Sequence, residues 1–197
     1  MTEIRNINCY PATPDRWNDL TKLFGNSGAQ WGWWCMYWVM TNKQFNQVSA
    51  QTRKNALQAL FEDESQIPGI LAYIDGNPVG WCALSPRENY KRLVKSRVIK
   101  PVDDKAVWSL VCFFVHKNYR KLGVANSLLQ AAMKLAKEQG APALEAYPID
   151  LKQSEKVEES SAYVGTVPMF KKAGFKKVAN TKAKGAGKPR IIMRYDF

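Results

Sequence analysis

One stretch limits the fold more than any other: Val107-Trp108-Ser109-Leu110-Val111-Cys112-Phe113-Phe114-Val115. It is apolar on both faces, as a strand in the middle of a covered sheet must be. Residues 122–138 come next, with Val124, Leu128, Ala131, Ala132 and Leu135 on one side, which is the spacing of an amphipathic helix. Gly140 stops that helix, residues 143–147 read as another strand, and Pro148 ends it. A strand, a helix and a second strand make a right-handed crossover with the strands parallel.

Other elements extend this unit on both sides. Residues 4–10 read as a first strand. Pro14 opens a helix running to Phe24, because proline fits a first helical turn. An aromatic run comes after it, Trp31-Gly32-Trp33-Trp34-Cys35-Met36-Tyr37-Trp38, and then a helix over 49–62. Residues 69–74 and 79–84 form a hairpin around Asp75-Gly76-Asn77-Pro78. Residues 85–105 are a long basic connection, and a connection that long serves function or motion. A short helix over 166–173 and strands over 175–179 and 190–195 finish the chain, with a basic linker over 180–189. The sum is a mixed α/β sheet with helices on both faces. The length of 197 residues suits a single domain over 1–197, with apolar residues at 46% to fill its core.

No segment has the run of roughly 18 apolar residues that a membrane helix needs. The first residues lack a signal-peptide layout, so a cytoplasmic protein without membrane partners is expected. Cys9, Cys35, Cys82 and Cys112 are scattered and His116 is the single histidine, which supplies a metal site poorly. The cysteines read as reduced. The net charge of +12 attracts anions, whether nucleotide cofactor, acidic substrate or nucleic acid, and does not choose among them.

The turn after the central strand narrows the choice. It reads His116-Lys117-Asn118-Tyr119-Arg120-Lys121-Leu122-Gly123-Val124-Ala125. Ligands of open α/β sheets bind at the carboxyl ends of strands. A helix start there offers unpaired N–H groups and partial positive charge. Gly123 lets a phosphate approach the backbone, Ala125 is nearly as small, and Arg120 and Lys121 add full charges. This is a cradle for a pyrophosphate.

The segment 113–125 resembles the acetyl-CoA motif of the GNAT (N-acetyltransferase) superfamily. The hairpin Asp75-Gly76-Asn77-Pro78-Val79-Gly80 and the ending Met169-Phe170-Lys171-Lys172-Ala173-Gly174-Phe175 are similar to that family's, in the same order. The resemblance covers about 66–197 as an acetyl-CoA-binding core, and 1–65 would supply the first strand and two acceptor-side helices. It implies a mostly antiparallel sheet of about seven strands, with the crossover pair splayed apart. It implies pantetheine bound along the backbone at Phe113 and Val115, and pyrophosphate held by N–H groups of Lys121, Leu122, Gly123, Val124 and Ala125. It also implies direct attack by an acceptor amine, without a covalent enzyme intermediate.

Proton transfer is where the chain departs from the family pattern. Many members carry N-x-x-A-x-x-L-Y before the final Gly-Phe, and the matching positions here are Tyr163, Thr166, Met169 and Phe170. Phe170 cannot donate a proton, so Tyr163 becomes the candidate acid. Glu145 is the candidate base, since strand alternation puts Ala143, Glu145 and Tyr147 on one face. Tyr147 and Asp150 are further candidates, His116 reads as a turn residue, and Cys112 as a buried thiol. Most rings of the aromatic run are expected in the core, with one or two facing the acceptor.

The expected function is an acetyl-CoA-dependent N-acetyltransferase for a small-molecule or peptide amine, as a monomer or homodimer. A second reading is a non-catalytic, acyl-CoA-responsive module that binds nucleic acid through its basic residues. A third is an acetyltransferase whose acceptor amine is linked to tRNA. The basic residues are scattered and match no nucleic-acid motif, which weighs against the second.

Overall fold

The computed structural model describes residues 6–151 and 163–197. The described residues form a seven-stranded sheet with strands β1 (Ile7–Pro11), β2 (Gly69–Ile74), β3 (Asn77–Pro86), β4 (Trp108–Val115), β5 (Ala143–Ala146), β6 (Lys176–Gly185) and β7 (Lys188–Asp196). Their order is β1-β2-β3-β4-β5-β7-β6. Every neighbouring pair is antiparallel except β4 and β5, which are parallel. The expected crossover is therefore the centre of the sheet, built around α5 (Val124–Glu138).

Two apolar layers cover the sheet. On one face, α1 (Trp17–Phe24), α3 (Ala50–Glu62) and the aromatic loop pack on Leu71, Trp81, Val111 and Tyr147. On the other, α5 and α6 (Val167–Lys172) pack on Ile70, Cys82, Leu110 and Met193. Leu128 and Leu129 of α5 are fully buried, and each such side chain contributes roughly 1.5–3 kcal/mol by leaving water. Gly80 permits this closeness. A Cβ there would lie 2.6 Å from Val124 Cγ1 and 3.1 Å from Leu128 Cδ1, so any larger residue would push α5 off the sheet.

Several boundaries differ from the sequence expectation. The first helix opens with a 3-10 turn over Pro14–Arg16 before α1. A short helix, α2 (Asn42–Gln47), was not expected. Its signal is present in Thr41-Asn42-Lys43-Gln44, where Thr41 and Gln44 form a reciprocal capping box. The connection after β3 is not an open loop. It holds a 3-10 turn, Arg87–Asn89, and α4 (Lys91–Val94), and buries Tyr90, Leu93 and Ile99. The linker expected at 180–189 is mostly strand, because β6 and β7 run on to a tight turn at Ala186 and Gly187. Lysines on a sheet edge hide the alternation of a strand, and such charge protects an edge from pairing with other chains.

Candidate functional site

The site forms where β4 and β5 part. They pair only at Trp108 with Leu144, Ser109 with Glu145, and Leu110 with Ala146. Beyond Leu110 the β3–β4 register slips. Ala83 faces Cys112 while Leu84 faces Leu110, so Val111 is an extra residue. Such a bulge bends the strand and re-aims the residues beyond it. Residues 111–115 then run on with no β5 partner, about 16 Å of open backbone edge.

Which amides face that gap is set from the β3 side. His116 N–H donates to Val79 O at 2.9 Å. Antiparallel ladders alternate bonded and non-bonded pairs, so Phe114 and Cys112 spend their backbone groups on β3. Phe113 and Val115 point theirs into the gap. The Val115 carbonyl accepts from Arg120 Nε at 3.3 Å, which sets that side chain across the end of β4.

The turn beyond is strongly curved. Lys117–Tyr119 form a 3-10 turn, which His116 caps by accepting the Asn118 N–H on Nδ1 at 3.4 Å. His116 is thus a turn residue, as expected. Lys121 has φ +63° and Gly123 has φ +89°, both left-handed. Gly123 caps α5 and has no side chain to offer, so the first helical amides lack a side-chain cap. A Cβ on Gly123 would meet only Ile7 Cδ1, at 3.9 Å. The space in front of these amides is open, which suits a phosphate-bearing ligand. Leu122 is exposed and Val124 is buried against β3.

At the closed end of the fork lies a polar network. Glu145 is 1% exposed, and its Oε1 accepts from Arg194 Nε at 3.1 Å and Nη2 at 2.7 Å. Its Oε2 accepts from the Tyr147 hydroxyl at 3.0 Å, and that hydroxyl lies 2.8 Å from Ser109 Oγ. Arg194 reaches on to Asp103, in the basic connection. Burial, and next the Glu145 charge, push the Tyr147 phenol up. Glu145, the candidate base, has both its oxygens committed, to the Arg194 guanidinium and to the Tyr147 phenol. Asp150 is bonded to Lys177 at 3.0 Å, away from this network. Cys112 is buried, and a hydrogen bond with Cys35, together with burial, raises its thiol well above the ordinary range.

Beside β4, on the face covered by the aromatic loop, lies a narrow cavity of about 30 Å³. Cys112, Phe113 and Phe114 wall it from β4, Trp33, Tyr37 and Trp38 from the aromatic loop, and Tyr163 from beyond β5. Tyr163 stands edge-on to Trp33, with ring centres 6.1 Å apart. Burial pushes its phenol up, so it holds its proton through the neutral range. Phe170, at the position of the family's tyrosine, is buried and packs on Phe113 and Phe175. Fewer of these rings are core than expected: Trp34 and Trp38 are buried, Trp33 and Tyr37 are half-buried at the cavity, and Trp31 is exposed.

A family model described as the acetyltransferase (GNAT) family matches residues 30–153. The chain belongs to the acetyltransferase (GNAT) family. The match takes in the aromatic loop and α3 as well as the fork, so more of the N-terminal third is family-like than its sequence suggested. Solved GNAT structures share the fold across nearly the whole chain. A ribosomal-protein-alanine N-acetyltransferase from Brucella melitensis is 16% identical, with TM-score 0.56, covering 96% of this chain and 99% of its own. PaiA N-acetyltransferase from Thermoplasma acidophilum, solved with coenzyme A, is 15% identical at TM-score 0.55, covering 98% and 99%. YncA from Salmonella typhimurium, solved with acetyl-CoA, is 12% identical at TM-score 0.56, covering 96% and 93%. No curated protein matches the chain in sequence. Among the described residues no helix is long and apolar enough to cross a membrane, and no group of side chains is arranged to hold a metal ion.

Proposed function

We propose that this GNAT protein moves an acetyl group from acetyl-CoA to the amine of a small molecule or peptide, by direct attack in a ternary complex. The carrying observation is the fork itself: open β4 edge, bulge at Val111 and uncapped α5 amides lie in one line. In this reading Phe113 and Val115 bind pantetheine as an added strand would. The N–H groups of Lys121, Leu122, Gly123, Val124 and Ala125 hold the pyrophosphate, with Arg120 and Lys121 supplying full charges. Acetyl-CoA is the co-substrate and brings the activated thioester.

The chain's own groups then divide the work. A backbone N–H in the stretch 113–115 stabilises the oxygen that gains charge as the amine attacks. Tyr163 donates its proton to the departing thiolate and regains one through solvent from the acylated nitrogen. Glu145 and Tyr147 act as positioning groups that fix where β4 and β5 separate. The amine attacks in its neutral form, because only that form has a free lone pair for the thioester carbonyl. Two features support this over a nucleic-acid module. Arg190 of the basic hairpin turns inward, donating to Tyr147 O at 2.9 Å, and the Tyr163 phenol lines the cavity beside β4.

The test is thiol release from acetyl-CoA over a panel of amines, with calorimetry on CoA. Heat from CoA plus amine-dependent release supports the reading. Binding without release on any amine would leave a CoA-responsive protein, and no binding would remove the site altogether.

A further inference from the structure

The mouth of the cavity carries a ladder of aromatic rings. Trp33 and Tyr37 lie nearly parallel, 5.6 Å apart and 16° from coplanar. Trp31 meets Trp33 edge-on at 5.5 Å. Arg92 closes the far end, 3.9 Å over the Tyr37 ring, and is itself held by Asn42 Oδ1 at 3.0 Å. Trp31 is 69% exposed, an unusual place for an indole that only packs.

The loop presenting these rings is strained. Ala29, Trp31, Trp34 and Cys35 all have positive φ, between 48° and 68°. Left-handed backbone at non-glycine residues persists where surrounding contacts impose it, and it concentrates at ligand sites. A second sign of a missing partner lies deeper. Trp38 also walls the cavity, and its buried indole N–H has no partner among the described residues.

Resting on the acetyltransferase reading, we propose that the acceptor is an arylalkylamine, an amine on a short carbon arm attached to a flat aromatic ring. The arm suits a cavity whose volume is that of a few atoms. The ring stays outside and stacks on Trp31 and Trp33. The described wall is made mostly of rings, those of Trp33, Tyr37, Trp38, Phe113, Phe114 and Tyr163, and flat rings favour an aromatic partner.

The experiment compares 2-phenylethylamine, n-butylamine and spermidine as acceptors on the full chain, in wild type and in Trp31→Ala. We expect kcat/KM for phenylethylamine to exceed both others at least ~tenfold, and Trp31→Ala to shrink that preference about fivefold. Equal or better turnover of butylamine or spermidine overturns the proposal, as does a Trp31→Ala loss shared by all three amines. A second readout separates it from the acetyltransferase reading. Phenylethylamine quenches indole fluorescence saturably in wild type and much less in Trp31→Ala, whether or not CoA binds. Absence of saturable quenching overturns the platform even if the chain acetylates some other amine.

Discussion

The coenzyme fork and the aromatic loop both depend on left-handed backbone, and they use it differently. At the fork two residues are left-handed, Lys121 and Gly123, and at Gly123, the cap of α5, no Cβ is strained and none obstructs a ligand. In the loop, four residues with side chains hold the same region of φ. In the proposed reading the fork recognises its ligand with peptide N–H and C=O groups, which every sequence has. In the same reading the loop recognises with rings, which are held on strained, left-handed backbone. The fork thus suits a co-substrate that never changes, and the loop suits an acceptor that sets this protein apart.

Breaking the fork gives the largest effect. Gly123→Glu puts a side chain on a left-handed residue and a negative charge where phosphate is expected. Like charges brought together cost several kcal/mol. We expect CoA binding to fall at least ~1000-fold by calorimetry, while circular dichroism shows a folded chain, because the position is open to solvent rather than core. Retained affinity would mean that the pyrophosphate lies elsewhere. The loop offers no counterpart, since losing one ring leaves the others in place.

Next in size is the closed end of the fork. Arg194→Ala leaves the buried Glu145 carboxyl without its cation. Removing one partner of a buried pair costs about 3–5 kcal/mol, and urea unfolding should read a loss of that order. Asp103→Asn, at the exposed end of the same network, should cost much less. Similar losses for both would show that Arg194 is held by Asp103 rather than holding Glu145.

This network also shows what the sequence could and could not disclose. The turn between β4 and α5 was legible because its signals are local: a buried strand, a glycine and a helix start, all within 107–125. The β2–β3 hairpin was legible from Asp75 and Gly76 for the same reason. Glu145 read as the candidate base because strand alternation reveals the face of a residue but not its partner. Arg194, on β7, and Asp103, before β4, reach it only through tertiary folding. The second half of β6, residues 180–185, was hidden by its lysines. The cavity was hidden because its walls come from the aromatic loop, β4 and residue 163, and no short window contains them.

A smaller effect tests the chemistry between the two regions. Tyr163→Phe removes one hydroxyl from a buried ring. General-acid contributions run from about 100-fold upward, so kcat should drop by about that factor with CoA affinity preserved. The raised phenol sharpens this. Wild-type kcat should show no alkaline decline at the ordinary tyrosine value near 10, because the folded-state group stays protonated beyond it. The linked stability has the matching sign: it is complete below the unfolded value and fades as pH rises past about 10. An alkaline limb near pH 10 that persists in Tyr163→Phe would assign the proton to another group.

The smallest effect bears most directly on the loop. Ala29 has φ +68°, where glycine carries no steric penalty. Ala29→Gly should relieve strain at the start of the aromatic loop, while the freer unfolded chain takes back part of the gain. The net change in stability should stay within about 1 kcal/mol and favour the variant. If the strain serves to hold Trp31 and Trp33 in place, the same variant raises KM for a ring-bearing amine while leaving the affinity for CoA untouched. A variant that is more stable and binds acceptor just as tightly would show that the rings are placed by their own packing, and that the left-handed backbone is only a consequence of it.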